Sequence, residues 1–585
     1  MAKSLRSKWK RKMRAVKRVR YGEKENIRLL NMLEMAKKSQ EERELEKSKT
    51  QMEHEPQPLG APASDKVGEP MEGDGSGEKH SAKTLKSESG SYPVWLSNRK
   101  IQKLKTKNKV KKNPEGKVNK RHKKKNMECP PVHQYPDRVR IDTLKHAHQT
   151  RYGSEPEIVV RVPGRVNLIG EHIDYCGYGV HPMAIDQDIL VAVAKVPTRG
   201  TLQLTNLESK FADFETNLTN LKVQAQASWW NYFLCGVKGV LVELETPDSV
   251  LQFGLNCTVH GRIPHSAGLS SSSALVVAAA LSTLWALDHQ MAKKDLADLC
   301  ARSERFIGTQ GGGMDQATEI LAKPGTALLI EFNPLRTQDV TLPQEANFVI
   351  VNSLADVNKA AGSDFNTRVV ECRLATKVLA KLNNLSGWRE KTKLIEFQEA
   401  LNLNLEEALA KCTSQLHPEP YSKGELCQLL EMTTPELESQ CLSPNTLDVA
   451  NFDLFHRSKH VFSEAKRVFD FKSACDNSQD DKALTELGRL MAESHQSCSQ
   501  DYECSHPALD QLVSLSKTAG ALGSRLTGAG WGGCVVALVP LEKLDGYMSY
   551  IKEKYFANLA AAHGRDLNEL IFTTQPGGGA LTYTC

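Results

Sequence analysis

The chain has 585 residues, 40% of them hydrophobic, and its 76 Lys+Arg against 70 Asp+Glu give a formal net charge of +6. At roughly 100–200 residues per domain, it is too long for one small domain. No run of about 18 uncharged apolar residues offers a membrane span. The opening MAKSLRSKWKRKMR has no apolar stretch for a secretory signal, so the 14 cysteines are expected as reduced thiols of cytosol or nucleus.

The small net charge hides a division. Residues 1–128 hold 35 Lys+Arg and 17 Asp+Glu, a net +18, whereas residues 129–585 hold 41 and 53, a net −12. All the cysteines lie in the second part, Cys129 being the first. Residues 1–20 carry ten Lys/Arg and no acid. Residues 22–50 mix Glu and Lys with Leu29, Leu30, Met32, Leu33 and Met35, a pattern open to an amphipathic helix. A Gly/Ser/Pro/Glu-rich linker follows over 51–90, then an apolar island from Tyr92 to Leu96 and a second basic run from Arg99 to Lys125. So few apolar side chains cannot offset chain entropy, and this arm is expected to be mostly disordered. Its charge suits a polyanion such as RNA, with salt-dependent affinity and nuclear import as a by-product. The alternative is a solvated tail with no specific ligand.

Beyond residue 155 strands, helices and glycine-rich turns take over. Ile158–Val162 and Ile189–Ala194 read as strands, and residues 274–288 as a helix apolar nearly all round, hence buried. Residues 366–383 and 458–470 have helical periodicity, and Cys534–Val539 reads as a buried strand. The irregular alternation predicts an α+β enzyme with two lobes.

Three constellations carry chemistry. Arg165, Asn167, Glu171, His172 and Asp174 fall within ten residues after the first strand. Carboxylates there can accept from hydroxyls of a polyhydroxylated ligand while Arg and His donate; the plainer reading is a polar turn. Second, Gly268-Leu-Ser-Ser-Ser-Ser-Ala274 runs into the buried helix. Free backbone N–H groups and the helix dipole make an anion site, and four serines exceed what a cap needs. The loop has no lysine, so charge must be offset by Mg²⁺ and a remote cation. Third, Gly523-Ser-Arg-Leu-Thr-Gly-Ala-Gly-Trp-Gly-Gly-Cys534 leads into an apolar strand and permits close backbone approach.

These motifs, in this order, resemble the GHMP small-molecule kinases (galacto-, homoserine, mevalonate and phosphomevalonate kinases) over about residues 135–585. GRVNLIGEHIDY resembles the galactokinase signature, GLSSSSA the phosphate loop and TGAGWGGC the third motif. IDYCGY, GTQGGGMDQ and LSPNT look closest to the N-acetylgalactosamine kinase branch. The resemblance implies a two-lobed kinase, with residues 129–345 and 346–585 as the lobes. It implies transfer of the ATP γ-phosphoryl to the anomeric hydroxyl of N-acetylgalactosamine, and of galactose too, in the cytoplasm. It makes Asp315 the base or orienting carboxylate and Arg165 the cation beside it. It places Glu171, His172, Asp174 and Gly312 at the sugar. Gly268, Ser270, Ser272, Ser273, Asn358 and Lys359 fall at ATP, and Ser272 and Glu304 at Mg²⁺. Phe365 aligns where galactokinases carry Tyr near the sugar. The competing readings are galactokinase proper, a non-catalytic sugar sensor, and an RNA- or pre-ribosome-associated protein acting through its arm. For about residues 1–125, MAKSLRSKWKRKMRA and YPVWLSNRKIQKLK resemble the small basic LLP-like nuclear proteins, which implies nuclear or nucleolar partners.

Overall fold

Strand β1, Ile158–Ile169, extends the expected run Ile158–Val162 well beyond its apolar part. It is buried on both faces. Val159 packs with Leu190 and Ala192 against one cluster, while Ile158, Val160 and Val162 enter the main core. A period of two serving two buried faces leaves no polar alternation to read. The computed structural model describes residues 130–585 except 225–227, 248, 333, 356–362 and 478–480. The basic arm of 1–128, its candidate helix at 22–50, and Asn358 and Lys359 lie outside the described residues.

Helix α1, Arg138–Tyr152, covers the first face of β1. Asp137 caps it by accepting from the Arg140 N–H, and Gly153, at φ 72°, ends it. The segment from Pro130 to Tyr152 thus packs as part of the folded domain. Arg140 pairs with Asp188, which also accepts from Arg161 at 2.7 Å and from the Tyr135 hydroxyl at 3.2 Å.

The other elements that position the site are β2 (His181–Val196), β3 (Thr201–Asn206), β4 (Phe214–Asn217), α2 (Trp229–Glu243), β5 (Gly254–Gly261), α3 (Ser271–Ala286), α4 (Lys293–Ser303) and α5 (Met314–Leu321). After them come β6 (Asn347–Asn352), α6 (Asp364–Leu382), α7 (Leu454–Asp476), α8 (Asp481–Gln500), β7 (Gly523–Thr527), β8 (Cys534–Val539), β9 (Ile571–Thr574) and β10 (Leu581–Thr584). One sheet has the order β10-β1-β2-β5-β3-β4, antiparallel except where β3 runs parallel to β5. A four-stranded sheet has the order β7-β8-β6-β9, all antiparallel. The chain thus starts this four-stranded sheet at Asn347 and returns its last strand to the six-stranded one. The fold is α+β, as expected. Helix α3 is buried nearly all round, and every residue of β8 is buried.

Candidate active site

Backbone bulges in β1, between Pro163 and Arg165 and between Asn167 and Ile169, break its pairing with β2 where the first constellation begins. Bulges re-aim side chains. Arg165 is only 1% exposed. Its Nε donates to Asp315 Oδ1 at 2.8 Å, its Nη1 donates to the Gly268 carbonyl, and its backbone N–H donates to the Leu269 carbonyl at 3.2 Å. The first motif therefore grips the serine loop. The third does so too, backbone to backbone. Gly268 and Gly528 have φ of 72° and 83°, and a Cβ on Gly268 would lie 2.6 Å from the Thr527 carbonyl oxygen. Contact this close, at positive φ, is open to glycine alone. The three constellations converge on one place.

Asp315 is the second residue of α5 and keeps part of its side chain exposed. Its Oδ2 lies 3.4 Å from Ser273 Oγ. The same hydroxyl donates to Glu304 Oε2 at 3.2 Å, and Gln316 Nε2 donates to that oxygen at 2.6 Å. Ser273 rather than Ser272 is thus the serine bonded to Glu304. Burial alone would lower the Arg165 pKa, but Asp315 and Glu171 more than reverse this and hold it above its usual value. Burial and then the Asp315 charge push Asp174 up, against backbone N–H bonds from Tyr175, Met314 and Gly312. A Cβ on Gly312 would collide with the Asp174 carboxylate.

Two cavities meet at Ser272. One, of about 330 Å³, runs from the serine loop to Phe211, Trp229 and Tyr232, with Lys210 and His265 at its edge. The other, of about 70 Å³, is walled by Arg165, Asp174, Glu304, Gly312, Asp315 and Phe365. Ser270, at φ 71°, and Gly268 also line the first. The arrangement offers an anion cradle with an aromatic shelf beside a small polar chamber, with a carboxylate–guanidinium pair in that chamber. Glu304 and the Ser272 hydroxyl are hard oxygen donors near the junction. Among the described residues no group of three or more His, Cys, Asp or Glu could hold a metal by itself. A single carboxylate and hydroxyl fit Mg²⁺, which takes most of its ligands from phosphate and water.

Glu171 and His172 reach the chamber wall with their polar atoms engaged by the protein. Glu171 pairs with Arg525 at 2.9 Å and accepts from the Gly528 N–H at 3.1 Å. Burial raises its pKa, opposed by Arg525 and Arg165. The His172 ring lies 2.8 Å from the Tyr175 hydroxyl and 2.9 Å from the Ala529 carbonyl. Phe365 stands on α6, 5.7 Å from the His172 ring and 5.8 Å from Tyr175. Reading the sequence missed Arg525, Phe211, Trp229 and Tyr232. Arg525 had a signal, since an arginine entering a buried strand requires a buried acid. The aromatic shelf had none, because its residues come from separate elements.

Residues 146–195 match the galactokinase galactose-binding signature. Residues 231–323 match the GHMP kinases N terminal domain, and 473–555 the GHMP kinases C terminal. Residues 3–125 match the LLP homolog family. The chain is 37% identical to a galactokinase of Dictyostelium discoideum over 473 residues, 76% of this chain and 94% of that protein. It is 33% identical to a galactokinase of Saccharomyces cerevisiae over 489 residues, covering 74% and 92%. Among solved structures, Lactococcus lactis galactokinase complexed with galactose shares the fold, with a TM-score of 0.60 at 24% identity, over 75% of this chain and 99% of that one.

Proposed function

The chain belongs to the galactokinase family of GHMP kinases, and from that premise we propose that it phosphorylates the anomeric hydroxyl of N-acetylgalactosamine with ATP, accepting galactose less well. The observation that carries this reading is the Arg165–Asp315 pair at 2.8 Å, in a small chamber joined to an anion loop. Phosphoryl transfer asks the protein mainly for positioning and charge neutralisation.

Arg165, itself fixed by the Gly268 carbonyl, sets the rotamer of Asp315. Asp315 accepts the hydrogen bond of the sugar's anomeric hydroxyl. As the oxygen–phosphorus bond forms and the bond to ADP breaks, the hydroxyl proton passes to the carboxylate. Arg165 offsets charge on the transferring group. Asp174 and the Gly312 backbone hold other hydroxyls, while Glu171 and His172 keep the wall rigid through Arg525 and Tyr175. Gly268, Ser270, Ser272 and Ser273 cradle the phosphates, and Phe211, Trp229 and Tyr232 receive the base. Asn358 and Lys359 are nucleotide contacts in the same reading. Ser272 and Glu304 would hold Mg²⁺, which supplies neutralisation of phosphate charge.

The N-acetyl preference is supported by Phe365, an apolar ring where a phenol would stand in galactokinases, and by the chamber's opening into a wider cavity past Tyr175 and Gly312. Comparing kcat/KM for the two sugars tests it. A value at least tenfold higher for N-acetylgalactosamine is expected, and a galactose preference would reject it. For the arm, its +18 charge and its match to the LLP homolog family support a second reading, in which it binds RNA and takes the protein to the nucleus or nucleolus while the kinase serves the cytoplasm.

A further inference from the structure

Glu319 stands one turn beyond Asp315 on α5, a helix that packs against β1 and α3. Residues four apart on a helix share a face. Glu319 is fully buried, and neither of its carboxylate oxygens has a partner at ordinary hydrogen-bond distance. The polar group that meets it is the Ser270 hydroxyl, also buried and without another partner among the described residues.

Ser270 occupies the N-cap of α3, where a serine ordinarily accepts from an N–H of the first turn. Here it does not. Its backbone is left-handed, at φ 71°, and its side chain makes no cap bond. The first-turn N–H groups of α3 are thereby left open to an anion.

The surrounding charges decide the form in which Glu319 exists. The titratable and charged groups facing it are Asp315 on its own helix, Arg165 of β1, Glu304 after α4 and Cys300 of α4. Burial and then the Asp315 charge push its pKa well above the usual carboxylate range, against the Ser270 hydroxyl and Arg165. Arg165, the cation among these groups, is already held by Asp315 at 2.8 Å. A buried carboxylate with no counter-charge of its own takes up a proton instead. The neutral acid carries one O–H donor, and the Ser270 oxygen is free to accept it.

We propose that Glu319 is a positioning residue of the phosphate loop: it donates its O–H to the Ser270 hydroxyl oxygen, fixes that serine in its left-handed conformation, and so keeps the first turn of α3 open to the phosphates of ATP. The inference rests on the sugar-kinase reading above. An ionised Glu319 could not donate, would repel the phosphates and would compete with Asp315 for Arg165.

The test uses the full chain as wild type, Glu319→Gln and Glu319→Leu. Binding of ATP with Mg²⁺ is measured by calorimetry, and kcat and KM for ATP at saturating sugar. Gln keeps an uncharged donor, whereas Leu keeps much of the volume and gives the donor up. Glu319→Leu is expected to weaken ATP binding and raise the KM for ATP about tenfold, with little change in kcat. Its Tm should equal the wild type's or exceed it, because a buried unpaired acid is gone. Glu319→Gln is expected to stay within about threefold of the wild type in both constants. Wild-type ATP affinity in Glu319→Leu would overturn the proposal, since a residue that only fills the core predicts that result. Glu319→Gln as impaired as Glu319→Leu would also overturn it. Infrared spectra decide the matter if Glu319→Leu does not fold. The C=O stretch of a protonated carboxylic acid is expected in the wild type at neutral pH and not in Glu319→Gln, and its absence from the wild type would overturn the proposal. Loss of the parent reading is distinguishable: the wild type would then bind ATP yet phosphorylate neither sugar, while calorimetry still scores Glu319. A wild type that binds no ATP would overturn both.

Discussion

His460 lies beneath the loop that follows β1, its Nδ1 2.9 Å from Ser497 Oγ and its Nε2–H donating to the Glu171 carbonyl at 3.0 Å. Burial pushes its pKa down to about 4. His148 and His260 are likewise held at about 4, and His181 at about 3. Above about pH 6.5 these rings are neutral whether the chain is folded or not, so they cost nothing. As pH falls from 6.5 toward 4, the unfolded chain takes up protons that the folded one refuses, and stability drops. Between pH 6.5 and 5 a fully buried ring such as His460 costs on the order of 2 kcal/mol. His460→Gln is therefore expected to flatten the fall of Tm over that interval. Melting curves at pH 7 and pH 5 check this; an equal fall in both proteins would mean that His460 charges freely in the fold. None of these shifts could be read from the sequence, since each depends on burial by elements far along the chain.

At the scale of elements, the site is held by a buried ion-pair network between β1, α7, α8 and β7. Arg525 of β7 pairs with Glu171, and its Nε donates to Ser494 at 3.0 Å. Glu464 of α7 accepts from the Gly170 and Glu171 N–H groups and pairs with Arg467 at 2.7 Å. Burial would raise the Glu464 pKa, but Arg467 and Arg525 hold it at about 2. Removing one partner of such a network strands a buried charge, at about 3–5 kcal/mol. Arg525→Met is expected to lose that much in denaturant unfolding and to raise the KM for sugar through the loosened loop. A loss under about 1 kcal/mol would show that the pair is dispensable. The apolar runs of β1, α3 and β8 were legible because burial on all sides writes an uninterrupted hydrophobic stretch. Helix α1 was not. Of its four buried residues, Arg140 and His148 are polar, so its inward face carries little apolar periodicity. The convergence of Arg165, Gly268 and Gly528 was legible only as three separate motifs. What joins them is long-range backbone packing that no local spacing encodes.

For the molecule as a whole, the +6 charge is a difference between two parts of opposite sign, +18 over 1–128 and −12 over 129–585. In the proposed reaction the phosphates are met by the serine loop and Arg165, with Mg²⁺ to be held by Ser272 and Glu304, so the net acidity of this part would not obstruct catalysis. If the arm binds RNA, each phosphate it meets releases counterions, and log affinity should fall linearly with log salt. The full chain is expected to bind RNA with such a slope, and residues 129–585 alone are not; equal binding by both would place the nucleic-acid surface on the kinase. The central claim is sugar 1-phosphorylation organised by Asp315 and Arg165, and it is tested most directly by identifying the product and measuring its rate of formation. Incubated with ATP and N-acetylgalactosamine, the protein should place phosphorus on the anomeric oxygen. Asp315→Ala should lower kcat by about 10²–10⁴-fold with little change in ATP binding. Phosphate on another hydroxyl, or an Asp315→Ala enzyme of near-normal kcat, would contradict the account.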